Sequence, residues 1–129
     1  MIDSFGFTTT MIARAVRERS LLPLEEAVHL VTGRPAALYG LRDRGELRPG
    51  AWADIVVFDA SAIDPEPATT RNDLPGGAGR LYGGASGITH VFVAGTEVVT
   101  SGRFTGNTPG RILRSGRDTG TVTAAVPWR

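Results

Sequence analysis

The chain has 129 residues, 14 basic and 13 acidic, for a net charge of +1; the length suits one domain and the charge balance argues against nucleic acid as a partner. It contains no Cys and no Lys, which excludes disulfides, thiolate metal sites, a cysteine nucleophile, a lysine Schiff base and a carboxylated-lysine metal bridge. Hydrophobic residues make up 41%, enough for a core, yet no run is long enough to span a membrane, and residues 1–10 lack the basic and apolar regions of a signal peptide, so the expected location is the cytoplasm.

Three helices are expected first. Thr8, Thr9 and Thr10 offer N-caps for a helix through about Arg19, with Met11, Ile12, Ala15 and Val16 as its apolar stripe and Arg14, Arg17 and Glu18 opposite. Pro23 fits the first position of a second helix, whose N-terminal end suits Glu25 and Glu26. Leu24, Ala27, Val28 and Val31 follow the i, i+3, i+4, i+7 spacing of a core face, and Gly33 is expected to end this helix. Pro35 opens a third, short helix through Tyr39, stopped by Gly40.

From residue 42 the period changes. A charged loop, Asp43 to Gly50, ends in Pro49-Gly50, a type II turn signal: Pro presets φ and Gly takes positive φ. A strand over residues 54–59 follows; its run Ile55-Val56-Val57-Phe58 reads as a strand buried on both faces. Residues 60–79, rich in Pro and Gly, read as a long irregular loop, either functional or laid over a neighbour. Ile88 to Val93, the turn Ala94-Gly95 and Thr96 to Thr100 form a hairpin. Ala94 is an imperfect residue there, since a type I′ turn demands positive φ. Gly102 and Gly106 mark another turn. The segment from Ser115 to Arg129 is polar and rich in Gly and Thr, and two readings stay open for it: one extra strand at Thr121–Val126, or a disordered tail.

Each residue that suggests chemistry also has a structural role open to it. His29 lies off the apolar face of the second helix, where a surface role is favoured because zinc needs three or four converging ligands. His90 alternates with Ile88 and Phe92 and suits cross-strand packing. Asp3 stands eight positions before Met11 and reads as a loop or capping residue rather than a metal ligand. Glu25 with Glu26 is ordinary charge at a helix N-terminus. Asp54 and Asp59 bracket a strand, where they cap or pair with Arg such as Arg44 or Arg48. The run Gly77-Ala78-Gly79-Arg80-Leu81-Tyr82-Gly83 imitates a dinucleotide fingerprint, but its last Gly is one residue late and it lacks a preceding strand. Arg103, Arg111, Arg114, Arg117 and Arg129 make a basic C-terminal end without interleaved aromatics, a solvated surface.

Several segments, taken together and in order, carry a family resemblance. They are Val16 to Arg19 with Leu22 to Val28; Thr32 to Leu41; Arg42 through Asp59, with its Pro-Gly corner and apolar strand; Asp73 to Ala78; Gly87 to Gly95; and Pro109 to Arg114. This arrangement resembles the C-terminal portion of amidohydrolase-superfamily enzymes, and is more similar to N-acyl-D-amino-acid deacylases than to dihydroorotases or ureases. The resemblance implies the last helices of a (β/α)8 barrel (the whole barrel takes about 250 residues) followed by part of a composite β-sandwich completed by N-terminal strands. It also implies zinc in an intact relative, held upstream by a His-x-His pair, a bridging ligand, two further His and an Asp.

The fold class is therefore α+β: a helical segment 1–41, a small antiparallel β-domain 42–114 and a C-terminal tail 115–129. No catalytic, cofactor-binding or metal-binding residue is assigned. Three functions remain open: a portion of a deacylase hydrolysing N-acyl-D-amino acids, a separately encoded subunit docking on a catalytic half, or a stand-alone structural module. The expected partner is a second copy or an upstream catalytic half, with no nucleic acid and no membrane.

Overall fold

The computed structural model describes residues 6–122. Its first helix, α1 (Phe7–Thr10), continues as a π-helical segment over Met11–Glu18. The wide turns show in the backbone bonds that close it, Arg19 N to Arg14 O and Leu21 N to Ala15 O. None of the three threonines caps this helix from outside. They lie within its first turn, and Thr9 Oγ1 donates back to Gly6 O at 3.1 Å. The stripe is shifted as well: Ile12 and Ala13 are buried, while Met11, Ala15 and Val16 are half-buried.

Helix α2 (Leu24–Val31) carries Glu25 and Glu26 in its first turn, with Pro23 just outside it. Ala27 is its one buried residue. Gly33 does not end α2. The break falls at Thr32 (φ −128°, ψ −82°), and Gly33 begins α3 (Gly33–Leu38). A Cβ at Gly33 would lie 2.8 Å from His29 Nδ1, so the absent side chain lets α3 start close under α2.

The loop after α3 turns at Arg48–Ala51, where Ala51 N donates to Arg48 O at 3.1 Å and Gly50 has φ +86°. This is the type II geometry expected of Pro49-Gly50. Strand β1 (Ile55–Phe58) then pairs antiparallel with β6 (Ile88–Val93), which pairs with β7 (Thr96–Thr100), and that with β8 (Arg103–Phe104), in the order β1-β6-β7-β8. The Ala94-Gly95 turn joins β6 to β7 with φ values of +50° and +79°, the type I′ signs.

Two expectations fail here. β1 is not buried on both faces: Val56 is 52% and Val57 44% exposed. The cause is position, because β1 is a sheet edge and the helices meet the β-structure chiefly at β2 (Asp64–Pro65). Nor is 60–79 an irregular loop. β2 pairs with β5 (Ala85–Ser86), and β3 (Thr69–Arg71) pairs with β4 (Arg80–Tyr82) in a projecting ribbon closed by a 3₁₀ turn at Pro75–Gly77. Strands of two or three residues carry too few alternations for a period to register.

Among the described residues the buried apolar core is small: Ile12, Ala13, Ala27, Ala36 and Ile63, with the Ile63 backbone O accepting from Arg17 Nη1. The C-terminal arm folds back onto the end of α3. Thr119 bridges Leu41, Arg42 N donates to Asp118 O, and Gly120 N donates to Gly40 O at 2.7 Å. Of the extra strand anticipated at Thr121–Val126, Thr121 and Val122 are not in a strand, and the rest lies outside the described residues.

Candidate functional site

The residues that could bear chemistry are dispersed. His29 is exposed on α2. His90 sits on β6, where its Nδ1 lies 2.7 Å from Glu97 Oε1 on β7 and its ring stacks on Phe92 at 6.4 Å between centroids. Both of its neighbours belong to the sheet. Glu25 and Glu26 stand exposed at the start of α2. Asp3 lies outside the described residues, as does Arg129.

Asp54 and Asp59, at the two ends of β1, do separate jobs. Asp54 pairs with Arg44 and accepts from Ala94 N at 2.8 Å, tying the loop before β1 to the β6–β7 turn. Asp59 closes a local turn, accepting from Ser61 N and Ser61 Oγ at 2.8 and 2.6 Å. The Ser61 hydroxyl and backbone N–H hold its carboxyl below the usual value of 3.8. Arg48 does not reach Asp54; it pairs with Asp43 at 2.6 Å. The Gly77–Gly83 run contains β4 and opens no helix, so it lacks the strand–turn–helix geometry of a dinucleotide site. Its Arg80 instead makes a two-pronged bond to Asp73 at 2.6 and 2.7 Å.

Sequence reasoning missed one polar hub. The Asp118 side chain is only 11% exposed and gathers the arm: Oδ2 accepts from Arg114 N at 2.8 Å and Arg117 Nε at 3.0 Å, and Oδ1 lies 3.6 Å from Arg111 Nη2. Arg111 in turn stacks on the Trp52 ring at 4.0 Å, with Arg44 over the same ring at 5.0 Å. Part of the basic C-terminal end is therefore engaged within the chain. The Trp52 and Asp118 signals are more than sixty residues apart, beyond the reach of local pattern.

An apolar groove of about 550 Å³ lies between β1 and the helices, walled by Ile12, Val28, Val31, Leu47, Ile55 and Val56 among others. Its lining includes no His and two carboxylates, Glu46 and Asp54. Among the described residues no group of three or more His, Cys, Asp or Glu is placed to hold a metal ion, and no helix is long and apolar enough to cross a membrane. The donor set thus does not fit a zinc centre of the kind the resemblance implies in an intact relative.

Comparison with known proteins places this architecture. The sequence pattern of the amidohydrolase family matches residues 1–100. The chain belongs to the amidohydrolase family. It is 44% identical over 110 residues to an N-acyl-D-glutamate deacylase of Alcaligenes xylosoxydans xylosoxydans, covering 85% of this chain and 20% of that protein. An N-acyl-D-aspartate deacylase of the same organism is 36% identical over 124 residues, covering 96% of this chain and 22% of that one. Resemblance to a dihydroorotase of Lactobacillus johnsonii is confined to 62 residues and 43% of the chain. A D-aminoacylase crystal structure superposes with a TM-score of 0.62 at 36% identity, over 78% of this chain and 19% of that one. This amidohydrolase chain therefore spans about one fifth of the length of the deacylases it matches, and its short helices with small antiparallel sheets are the α+β arrangement expected.

Proposed function

We propose that this chain is the C-terminal scaffold portion of a metal-dependent deacylase of N-acyl-D-amino acids, with the catalytic centre lying outside it. The observation that carries the reading is the pairing of two coverages: 85% of the chain matches an N-acyl-D-glutamate deacylase, yet the match takes in 20% of that protein. In such an enzyme a bound metal supplies an activated water and polarises the scissile carbonyl. The residues here supply neither. They present the half-buried Val28 and Val31 of α2 and an open apolar sheet edge, surfaces suited to bracing a larger catalytic portion.

The test is reconstitution. The deacylase related to this chain would be produced without its matching segment, then mixed with this chain and assayed for release of D-glutamate from N-acyl-D-glutamate. Expected outcomes are background activity and no stoichiometric zinc for this chain alone, and chelator-sensitive turnover when the two are combined. Turnover by the isolated chain, abolished by a chelator, would refute the scaffold reading. A cooperatively unfolding monomer near 13.6 kDa that neither binds nor rescues the truncated enzyme would favour a stand-alone structural module.

A further inference from the structure

The β3–β4 ribbon is stiffened well beyond what it buries. Arg80 Nε and Nη2 hold the two oxygens of Asp73 at 2.6 and 2.7 Å. The Arg71 guanidinium lies 3.4 Å from the centroid of the Tyr82 ring, and that of Arg80 lies 5.4 Å from it. Pro75 and two left-handed glycines, Gly76 and Gly77, close the tip. Yet each strand has three residues, all of β3 and two of the three in β4 are exposed, and among the described residues the two strands pack chiefly on each other. A lone two-stranded hairpin is marginal in water, and independent stability takes three or more strands. Leu81, 49% exposed, is the apolar residue at the middle of β4.

We propose that β4 is a self-association edge: two copies of this chain pair β4 antiparallel about a two-fold axis at Leu81, making one sheet in the order β3-β4-β4-β3. The occupant follows from the side chains. Pairing centred on Leu81 sets Leu81 against Leu81 of the second copy, and Arg80 of each copy against Tyr82 of the other. β4 carries no carboxylate, and Asp73 already matches the charge of Arg80, so no unscreened like-charge pair opposes the contact. Other edges suit a second copy less. That of β3 offers Thr69, Thr70 and Arg71, with no apolar side chain to cover. β8 is two residues long, and beyond it Thr105 Oγ1 and Asn107 Nδ2 donate to Glu97 O at 3.0 and 2.9 Å. The two-fold contact is isologous, so it closes at two copies. Three residues a side make a small interface, hence a weak, concentration-dependent dimer. Self-association through β4 and reconstitution of deacylase turnover rest on different residues, so each fails without the other.

The chain has no Cys, so a single introduced thiol reports on its own neighbour. Residues directly opposite in an antiparallel pair have Cα atoms about 4.5–5.5 Å apart, within the span of a disulfide. Under mild oxidation Leu81→Cys should therefore give a covalent dimer at least about tenfold faster than Thr70→Cys. Thr70 stands opposite Leu81 within the ribbon, but in the four-stranded sheet it lies three strand spacings, about 14 Å, from its counterpart. Phe104→Cys, exposed on β8, should link as slowly as Thr70→Cys. Sedimentation equilibrium of the parent chain should show monomer and dimer exchanging with concentration. Leu81→Asp, which sets two carboxylates face to face, should weaken the dimer by about tenfold, and an equimolar mixture with Leu81→Lys should restore it. The proposal is overturned by a parent chain that stays monomeric at millimolar concentration, by Leu81→Cys linking no faster than the other two thiols, by a Leu81→Asp dimer as tight as the parent's, or by a mixture no tighter than either charged variant alone.

Discussion

Gly45→Ala should be among the most damaging single-methyl changes in the chain. Gly45 sits in the loop that leads from α3 to β1, at φ +84°, and a Cβ there would lie 2.6 Å from Ala36 Cβ, 2.9 Å from Thr32 O and 3.2 Å from Gly33 Cα. Two of those contacts are backbone and cannot swing away. The left-handed conformation costs an L-residue about 1–2 kcal/mol, and overpacking adds about 1–3 kcal/mol. Reduced freedom of the unfolded chain returns about 0.4–1 kcal/mol. The net expectation is a loss of about 2–3 kcal/mol. With an unfolding entropy of about 2.1 cal/mol/K per residue, that lowers Tm by roughly 7–11 °C. Gly50→Ala is the matched control: its φ is +86°, but nothing lies within 4 Å of the added atom. Only the conformational cost less the same unfolded-state return remains, so Tm should fall by about 1–5 °C. Thermal unfolding by circular dichroism separates the two variants. If Gly45→Ala is no worse than Gly50→Ala, the close seating of this loop on α3 is refuted.

Two further predictions rest on turns and charges. Ala94 holds φ +50° in the β6–β7 turn, where Asn-Gly is the favoured pair, so Ala94→Asn should raise stability by about 0.5–1 kcal/mol, or roughly 2–4 °C in Tm; an unchanged Tm would count against the turn assignment. Asp118 is held below its usual value of 3.8, first by the Arg114 backbone N–H and then by Arg117 and Arg111, and Asp73 is held below it by Arg80. Groups with lowered pKa contribute stability that is complete above the unfolded value and is lost as pH falls through the folded one. Tm should therefore stay flat from neutrality to about pH 5 and fall below about pH 4. Asp118→Asn should flatten that acid slope and speed proteolysis between residues 105 and 118; an acid slope identical to the parent's would show that the hub does not couple to folding.

What was legible in the sequence is what local chemistry decides. Pro49-Gly50 announced its turn, Ala94-Gly95 announced both its hairpin and its strained first residue, and the spacing of Leu24, Ala27, Val28 and Val31 found α2 with Ala27 at its centre. What failed was decided by neighbours. The run Ile55 to Phe58 has the composition of a doubly buried strand, but burial depends on a layer on each face, and here β1 is an edge. Gly33 looks like a stop because glycine usually ends helices; here it is needed for close approach beneath His29. The π-helical turns over Met11–Glu18 leave no mark in a 3.6-residue period. His29 and His90 lie on separate elements, one exposed on a helix and the other beside Glu97, a placement that only the tertiary fold decides.

The exposed area ties these local mismatches together. A compact monomer of 13.6 kDa exposes about 6,600 Å², whereas this chain exposes 9335 Å². Setting aside about 1,900 Å² for the residues outside the described span still leaves about 800 Å² in excess. An interface of ordinary size buries about 800 Å² per partner, so the excess is enough for one such contact. The row Val56, Val91, Val99 and Phe104 crosses all four strands of the sheet in register, with Phe104 76% exposed at its end. A sheet face of this composition is one layer of a two-layer arrangement. The residues that look wrong for an isolated domain are thus consistent with each other: Val56 and Val57 too apolar for their exposure, Leu47 bare beside the groove and, among the described residues, a buried core of five small or medium side chains. They are the features that the proposed scaffold role requires, apolar surface left for a larger catalytic portion to cover.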